Sequence, residues 1–446
     1  MVVVDDAAGG TENIESLSKI EVVKWLIFNV EKLVVEIFDF ILACFLGIIC
    51  GTITGIIPGI HVNTVGAFVF AATPFLLKFF SPEFLAVFLL SMSIAHALLE
   101  FIPSMLLGVP DESTALSILP GHRMILEGQG RKAIRLTAIG GLGGIIFTVL
   151  SLPLSIIFLP PTYNLIRPYI GLLLLIVSIY LIISLNKNLE ATIWSLVIFI
   201  LSGILGWVML NTPLSSNISL LCTFSGLFGV STLIHSLGKH SILPSQYTVK
   251  EIRIDTRIIR GILGGGVAGT LLGFLPGFGP AQGSILAQEI SGGSDDRIEN
   301  LLTSLSALNT SDALFSLMTI YLMGNARSGI AVYILKIIEN FSLNYLIFFS
   351  FASLLSVAAS FILCIKLGDF LVDRLQYLDY NKLSKLVIFF ISCLVVIFSL
   401  WENAPVHFIL LAYVTSIAVG LIPHYIGVSK SYLMGVLIIP ALAIYL

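Results

Sequence analysis

Apolar stretches about 20 residues long, the length of an α-helix that crosses a bilayer, recur along most of the chain with short polar segments between them. They predict helices near residues 35–57, 62–80, 83–107, 136–159, 166–185, 191–210, 216–237, 259–275, 302–324, 342–365, 386–401, 404–421 and 429–446. Residues 14–32 are amphipathic and predict a helix lying at the interface, while 280–291 is too short to cross and predicts a re-entrant piece. Lipid offers backbone N–H and C=O groups no partners, so the spans must be helical. The expected fold class is an all-α polytopic membrane protein with about 12–13 transmembrane helices plus re-entrant segments.

Two of these stretches break in the same way. "GTITGIIPGIHVNT" (Gly51–Thr64) and "GTLLGFLPGFGPAQ" (Gly269–Gln282) hold Gly, Thr, Gly, Pro and Gly in one register, 218 residues apart (269 − 51). Chance likeness between two Gly-rich helices is the plain alternative, but the Pro-Gly step, the flanking polar residues and the following long helix recur together. Lys and Arg concentrate in residues 109–135, 238–260 and 366–386, and cationic loops stay cytoplasmic. Three predicted spans precede residue 109, which puts the N-terminus outside. The two Pro-Gly units then enter the membrane in opposite senses. That is the pattern of an inverted-topology repeat, whose binding site lies at the repeat interface near the midplane. The chain accordingly divides into an N-terminal segment (1–34), a first membrane half (35–237), a basic cytoplasmic linker (238–258) and a second membrane half (259–446).

Composition supports this class and excludes others. Of 446 residues, 57% are hydrophobic and 11% charged, with a mean hydropathy of +1.03; soluble domains carry about a quarter charged residues. A net charge of −3 gives no footing for a nucleic-acid partner. Cys44, Cys50, Cys222, Cys364 and Cys393 lie in apolar runs at no metal-ligand spacing, and are expected to be free thiols. The N-terminus lacks a basic region leading into an apolar core and does not resemble a signal peptide. "GILGGGVAGTLLG" (261–273) has no strand before it, so it reads as glycine packing in a membrane helix and not as a dinucleotide fingerprint. No nucleotide loop, zinc site or nucleophile with its base stands out. The chain is expected not to be an enzyme, and to need no cofactor beyond Na⁺ or H⁺ as a coupling ion.

A Pro-Gly break frees backbone groups that only protein or a water-filled cavity can satisfy. The half-helix that follows presents N–H donors and a partial positive charge, which suit an anion. Gly59, His61, Asn63 and Thr64 at the first break, and Gly277, Gly279, Gln282 and Ser284 at the second, are the candidate substrate-facing residues. The bland alternative is a pair of packing kinks. His96 and Glu100 share a helix face, as a proton relay or as a neutral structural pair. Asp111 and Ser113, after Pro110, read equally as a cap or as ligand contacts. Asn309, Thr310, Ser311 and Asp312 form the densest polar cluster in a predicted span. Such oxygens suit Na⁺, and a lone Asp suits a proton. The ion-coupling candidates are His96, Glu100, Asn309, Thr310 and Asp312. Arg327 either pairs with an anionic substrate or snorkels to the interface.

These motifs resemble the large membrane subunit (TctA) family of tripartite tricarboxylate transporters, across nearly the whole chain. Four places carry the resemblance: the two Gly-x-x-x-Gly-x-x-Pro-Gly units, "LPGHRMILEGQGRKAIRLTAIGGLGG" (119–144), "FSGLFGVSTLI" (224–234) and "VGLIPHYIGVSKSYLMGVLIIP" (419–440). The resemblance implies an ion-driven permease for small carboxylates in the plasma membrane. It also implies a small membrane subunit and an extracytoplasmic binding protein as partners. The family's Glu-Ala-Asn-Asn stretch stands here as Ala307-Leu308-Asn309-Thr310, and its second Pro-Gly as Gly324-Asn325-Ala326-Arg327. Asp111-Glu112 replaces the Gly expected after Pro110, which argues against a tricarboxylate as the solute.

The leading expectation is a secondary active transporter for a small anionic organic solute. A translocase for a lipid-linked phosphate, such as a polyprenyl phosphate, is the alternative, since re-entrant Pro-Gly hairpins also suit a headgroup crossing the bilayer. A non-transporting scaffold would not need polar clusters at matching positions of both halves.

Overall fold

In the computed structural model the described residues are 3–5, 11–13, 19–57, 62–107, 114, 118–184, 186, 188–212, 214, 216–237, 245–247, 252–274, 280–291, 298–324, 326–338, 340–375 and 380–445. A two-stranded antiparallel hairpin, β1 (Val3–Asp5) and β2 (Thr11–Asn13), precedes an otherwise helical chain. The first part comprises α1 (Lys19–Ile56), α2 (Val62–Leu76), α3 (Pro82–Leu99), α4 (Phe101–Leu107), α5 (Ile118–Leu126) and α6 (Gly130–Ile166). Then come α7 (Ile170–Ser184), α8 (Leu189–Leu210), α9 (Ser216–Phe224), a π-helical stretch (Ser225–Val230) and α10 (Ser231–Ser236). The second part holds α11 (Thr256–Phe274), α12 (Pro280–Ser291), α13 (Ile298–Met323), α14 (Gly329–Ile337) and α15 (Leu343–Leu375). It closes with α16 (Tyr380–Trp401), α17 (Val406–Ile426), a 3₁₀ turn (Lys430–Met434) and α18 (Gly435–Tyr445).

Local chemistry sets several boundaries. Ser81 caps α3 by accepting from Phe84 N–H at 3.1 Å, with Pro82 in the first turn. Asn188 caps α8 by accepting from Ala191 N–H at 2.8 Å. α17 ends at Gly427, whose φ of 81° is the left-handed geometry that glycine adopts without steric cost. Among the described residues, eight helices are long and apolar enough to cross a bilayer, fewer than the expected 12–13. The expected segments 62–80, 259–275 and 302–324 hold α2, α11 and α13, but α2 has only 15 residues, and α11 and α13 do not meet that apolar test. α12 occupies the expected re-entrant segment with 12 residues. The separate interfacial helix expected over 14–32 is not found: from Lys19 onward it is continuous with the first span in α1.

Helix directions follow from packing register. Gly47, Gly51 and Gly55 of α1 lie against Phe88, Met92 and His96 of α3, stepping four residues at a time on both, so these helices run in the same sense. Gly261, Gly265 and Gly269 of α11 lie in the same way against Asn300, Ser304 and Leu308 of α13. Gly140 and Gly144 of α6 lie against Thr303 and Ala307, so α6 runs with this second pair. α15 runs with the first pair: Tyr345 O–H donates to Glu83 and Ser356 O–H to Ser91, each at 2.8 Å. Arg131 meets Asp373 while Arg135 meets Asp369, so α6 and α15 are antiparallel. α1, α3 and α15 therefore run toward the end where these ions pair, and α6, α11 and α13 run away from it.

That end gathers all three basic segments. Arg135 holds Asp369 through two bonds of 2.7 Å, Lys132 pairs with Glu299, and Gln246 bonds both Gly130 N–H (2.9 Å) and Ile125 C=O (3.0 Å). The apolar cores draw on both halves of the chain. α1, α3, α6, α13 and α15 share one region, and α7–α10 pack with α16–α18 in another. The span that includes α3 is 89% buried within the protein, against 33% for α1, which places α3 at the centre. The five cysteines are free, as expected.

Candidate functional site

α13 carries more polar groups than a lipid-facing helix tolerates, and it is buried along nearly its whole length. Most of its hydroxyls are committed to backbone. Thr303 donates to Glu299 C=O (2.8 Å), Ser316 to Asp312 C=O (2.6 Å) and Thr319 to Ser316 C=O (2.7 Å). Two reach α6 instead: Thr310 donates to Gly141 C=O (2.8 Å) and Ser311 to Gly144 C=O (3.0 Å). The glycines let α6 approach closely enough for these bonds. Thr310 is thus engaged in fastening α13 to α6.

A buried polar chain joins α1, α3 and α13. Thr54 O–H donates to Gly51 C=O at 3.1 Å, and its oxygen lies 3.0 Å from His96 Nδ1. His96 Nε2 lies 3.3 Å from Glu100 Oε2. Glu100 Oε1 accepts from the Asn309 amide, which also donates to Ala97 C=O at 2.8 Å. With the Thr54 hydrogen directed at Gly51, Nδ1 is the donor to Thr54, and Nε2 faces the carboxylate. His96 and Glu100 are 4% and 6% exposed. The pair is therefore held away from water, and the Asn309 bond ties it to the second half of the chain.

Asp312 lies one turn further along α13. Its carboxylate makes no hydrogen bond or ion pair among the described residues, and the residue keeps part of its surface accessible. Met92 of α3 and Leu308 of α13 occupy equivalent places against Gly51 and Gly269. The offset between them is 216 residues (308 − 92), and the same offset carries His96 onto Asp312 (96 + 216 = 312). The two halves therefore hold an ionisable side chain at matching positions.

The helix breaks flank this level. Gly55, just before the first, lies against His96, Leu99 and Glu100, and Gly269, five residues before the end of α11, lies against Leu308 and Ser311. Five residues of helix rise about 7–8 Å, so the described ends of α1 and α11 fall within roughly a turn and a half of the α3–α13 crossing. Gly59, His61, Gly277 and Gly279 lie outside the described residues, as do the side chains of Thr64 and Gln282 and the Asp111 and Ser113 positions. Of the remaining candidates, Ser284 is buried within α12, and Asn63 sits against Gly329 at the start of α14. Arg327 is not brought to this group. It donates to Tyr163 O–H at 3.0 Å and lies over that ring, 5.5 Å from its centroid, beyond the far end of α13. Thr54 is the partner that sequence reasoning missed, because its role depends on which helix packs against α1.

The family model described as "Tripartite tricarboxylate transporter TctA family" matches residues 41–435. An uncharacterised protein of Methanocaldococcus jannaschii is 32% identical over 405 residues, 90% of this chain and 98% of the relative. No solved structure matches.

Proposed function

The chain belongs to the tripartite tricarboxylate transporter TctA family, and we propose that it is an ion-coupled permease for a small anionic organic solute such as a carboxylate. The observation that carries this reading is the buried Thr54–His96–Glu100–Asn309 chain between two helix breaks. Around it α1 and α3 run one way and α11 and α13 the other, with matched glycine registers. That arrangement supports an inverted-topology repeat, with the N-terminus outside and the three basic segments cytoplasmic.

In this reading the half-helices α2 and α12 aim their N-terminal N–H groups at the solute. Gly59, His61, Asn63, Thr64, Gly277, Gly279, Gln282 and Ser284 line its place. Asp312, unpaired among the described residues, takes the coupling Na⁺ or H⁺, because an uncompensated carboxylate at membrane depth is costly. His96, Glu100 and Asn309 transmit the state of charge between the halves. A small membrane subunit and an extracytoplasmic binding protein, typical of the family, are the proposed partners. The test is ligand-dependent thermal stabilisation of the purified protein, screened over carboxylates and phosphates with and without Na⁺. A carboxylate should raise the melting temperature, and more so with the coupling ion present. A screen in which no carboxylate shifts melting under any ion condition overturns the proposal.

A further inference from the structure

A second polar cluster lies in the other helical region, away from both helix breaks. The left-handed turn at Gly427 ends α17 and folds the chain back, so that Lys430 reaches α10. Its Nζ donates to Thr232 Oγ1 at 2.7 Å, and Thr232 O–H donates in turn to Phe228 C=O. One turn along α10 from Thr232, His235 stacks on His424 of α17, with ring centroids 4.5 Å apart and planes inclined by 21°. Tyr425 stands edge-on to His235 at 5.8 Å and is 76% exposed.

Among the described residues no carboxylate pairs with Lys430. No Asp or Glu occurs between residues 191 and 250, nor after Glu402. Lys430 takes part in no ion pair among the described residues, and Thr232 is its one hydrogen-bond partner among them. The neighbouring elements add Glu190 of α8, Glu289 of α12, and Lys382 and Lys385 of α16, and no ion pair among the described residues joins any of them to Lys430. Burial holds the Lys430 amine down to about 7, well below the ordinary lysine range. A half-buried ammonium with two N–H groups to spare can answer an anion.

We propose that Lys430, Thr232, His235 and His424 form a binding site for a phosphate group, at the end of α10 that leads into the basic segment 238–260. The donor set suits a dianion. A compact ammonium is a point-charge phosphate binder, the Thr232 oxygen that accepts from it holds it in place, and two imidazoles can each gain a proton beside negative charge. The exposed Tyr425 ring beside His235 is of the kind enriched at membrane–water interfaces, so a lipid headgroup and a free phosphate are the two sources to be told apart.

The test is the melting temperature of the purified protein, titrated with inorganic phosphate and, separately, with dihexanoyl phosphatidic acid. Parent protein should show a saturable rise with at least one of them. A response to both marks the free phosphate group as sufficient, and a response to phosphatidic acid alone marks a lipid headgroup; either supports the site. Lys430→Met should fold, because it keeps the length of the aliphatic stem and removes a charge that forms no ion pair among the described residues, and should bind at least roughly tenfold more weakly. Lys366→Met, a cation outside the cluster, should bind as the parent does. If Lys430→Met does not fold, His235→Asn and His424→Asn take its place, and each should weaken binding several-fold. No response to either probe overturns the proposal, and so does an undiminished response in these variants.

Discussion

Asn309→Ala tests whether the two halves are joined as the polar chain describes. The Asn309 amide makes two buried bonds, one to the neutral Ala97 carbonyl at 2.8 Å and one to Glu100 Oε1. A neutral bond contributes about 0.5–1.5 kcal/mol and a bond to a charged group about 1.5–3 kcal/mol. The substitution should therefore cost about 2–4.5 kcal/mol, with little added for the cavity, since Asn and Ala differ by a few atoms. A single variant cannot assign that loss to a partner, so a double-mutant cycle with Glu100→Ala is needed. Unfolding of the four proteins would be followed by denaturant titration in mixed micelles. Asn309 and Glu100 should couple by about 1.5–3 kcal/mol. Additivity within about 0.5 kcal/mol would refute a direct bond between them.

Gly144→Val should force α6 off α13, since a Cβ there would lie within contact distance of Ala307 C=O and Thr310; the expected loss is about 1–3 kcal/mol or more, read from the same titration. Asp312→Asn should weaken or abolish gradient-driven uptake while leaving the protein folded, and undiminished uptake with unchanged ion dependence would remove Asp312 from the mechanism. Single-cysteine labelling at residues 10 and 245, in a cysteine-free background, should report opposite sides of the membrane; labelling from one side would defeat the proposed topology.

Hydropathy alone located α3, α6, α8, α15 and α17, because each carries enough uninterrupted apolar length. The stretch 302–324 marked α13 as a helix too, although α13 is too polar to count among the eight apolar spans. The His96–Glu100 pair was also legible, since a four-residue spacing on a helix fixes neighbours locally. The link from His96 to Thr54, 42 residues away, and that from Glu100 to Asn309, 209 residues away, were not. Such contacts depend on which helices cross and at what level, and the glycine stripes reveal this only after the packing partner is known. Arg327 shows the same limit. Its charge suggested either a substrate contact or snorkelling to the interface, and the Tyr163 ring and hydroxyl that hold it, 164 residues earlier, could not be read from the sequence. The Lys430 cluster escaped notice because His235 and His424 meet only through the packing of α10 on α17, and Lys430 reaches Thr232 only after the turn at Gly427.

The central claim is ion-coupled movement of an anionic solute, and uptake into proteoliposomes tests it most directly. With an imposed Na⁺ or proton gradient the protein should concentrate a carboxylate above its external level. Collapse of that gradient should abolish the accumulation, and Glu100→Gln should lose the gradient dependence. Failure to accumulate any carboxylate under either gradient, by protein that is folded and correctly inserted, would contradict the account.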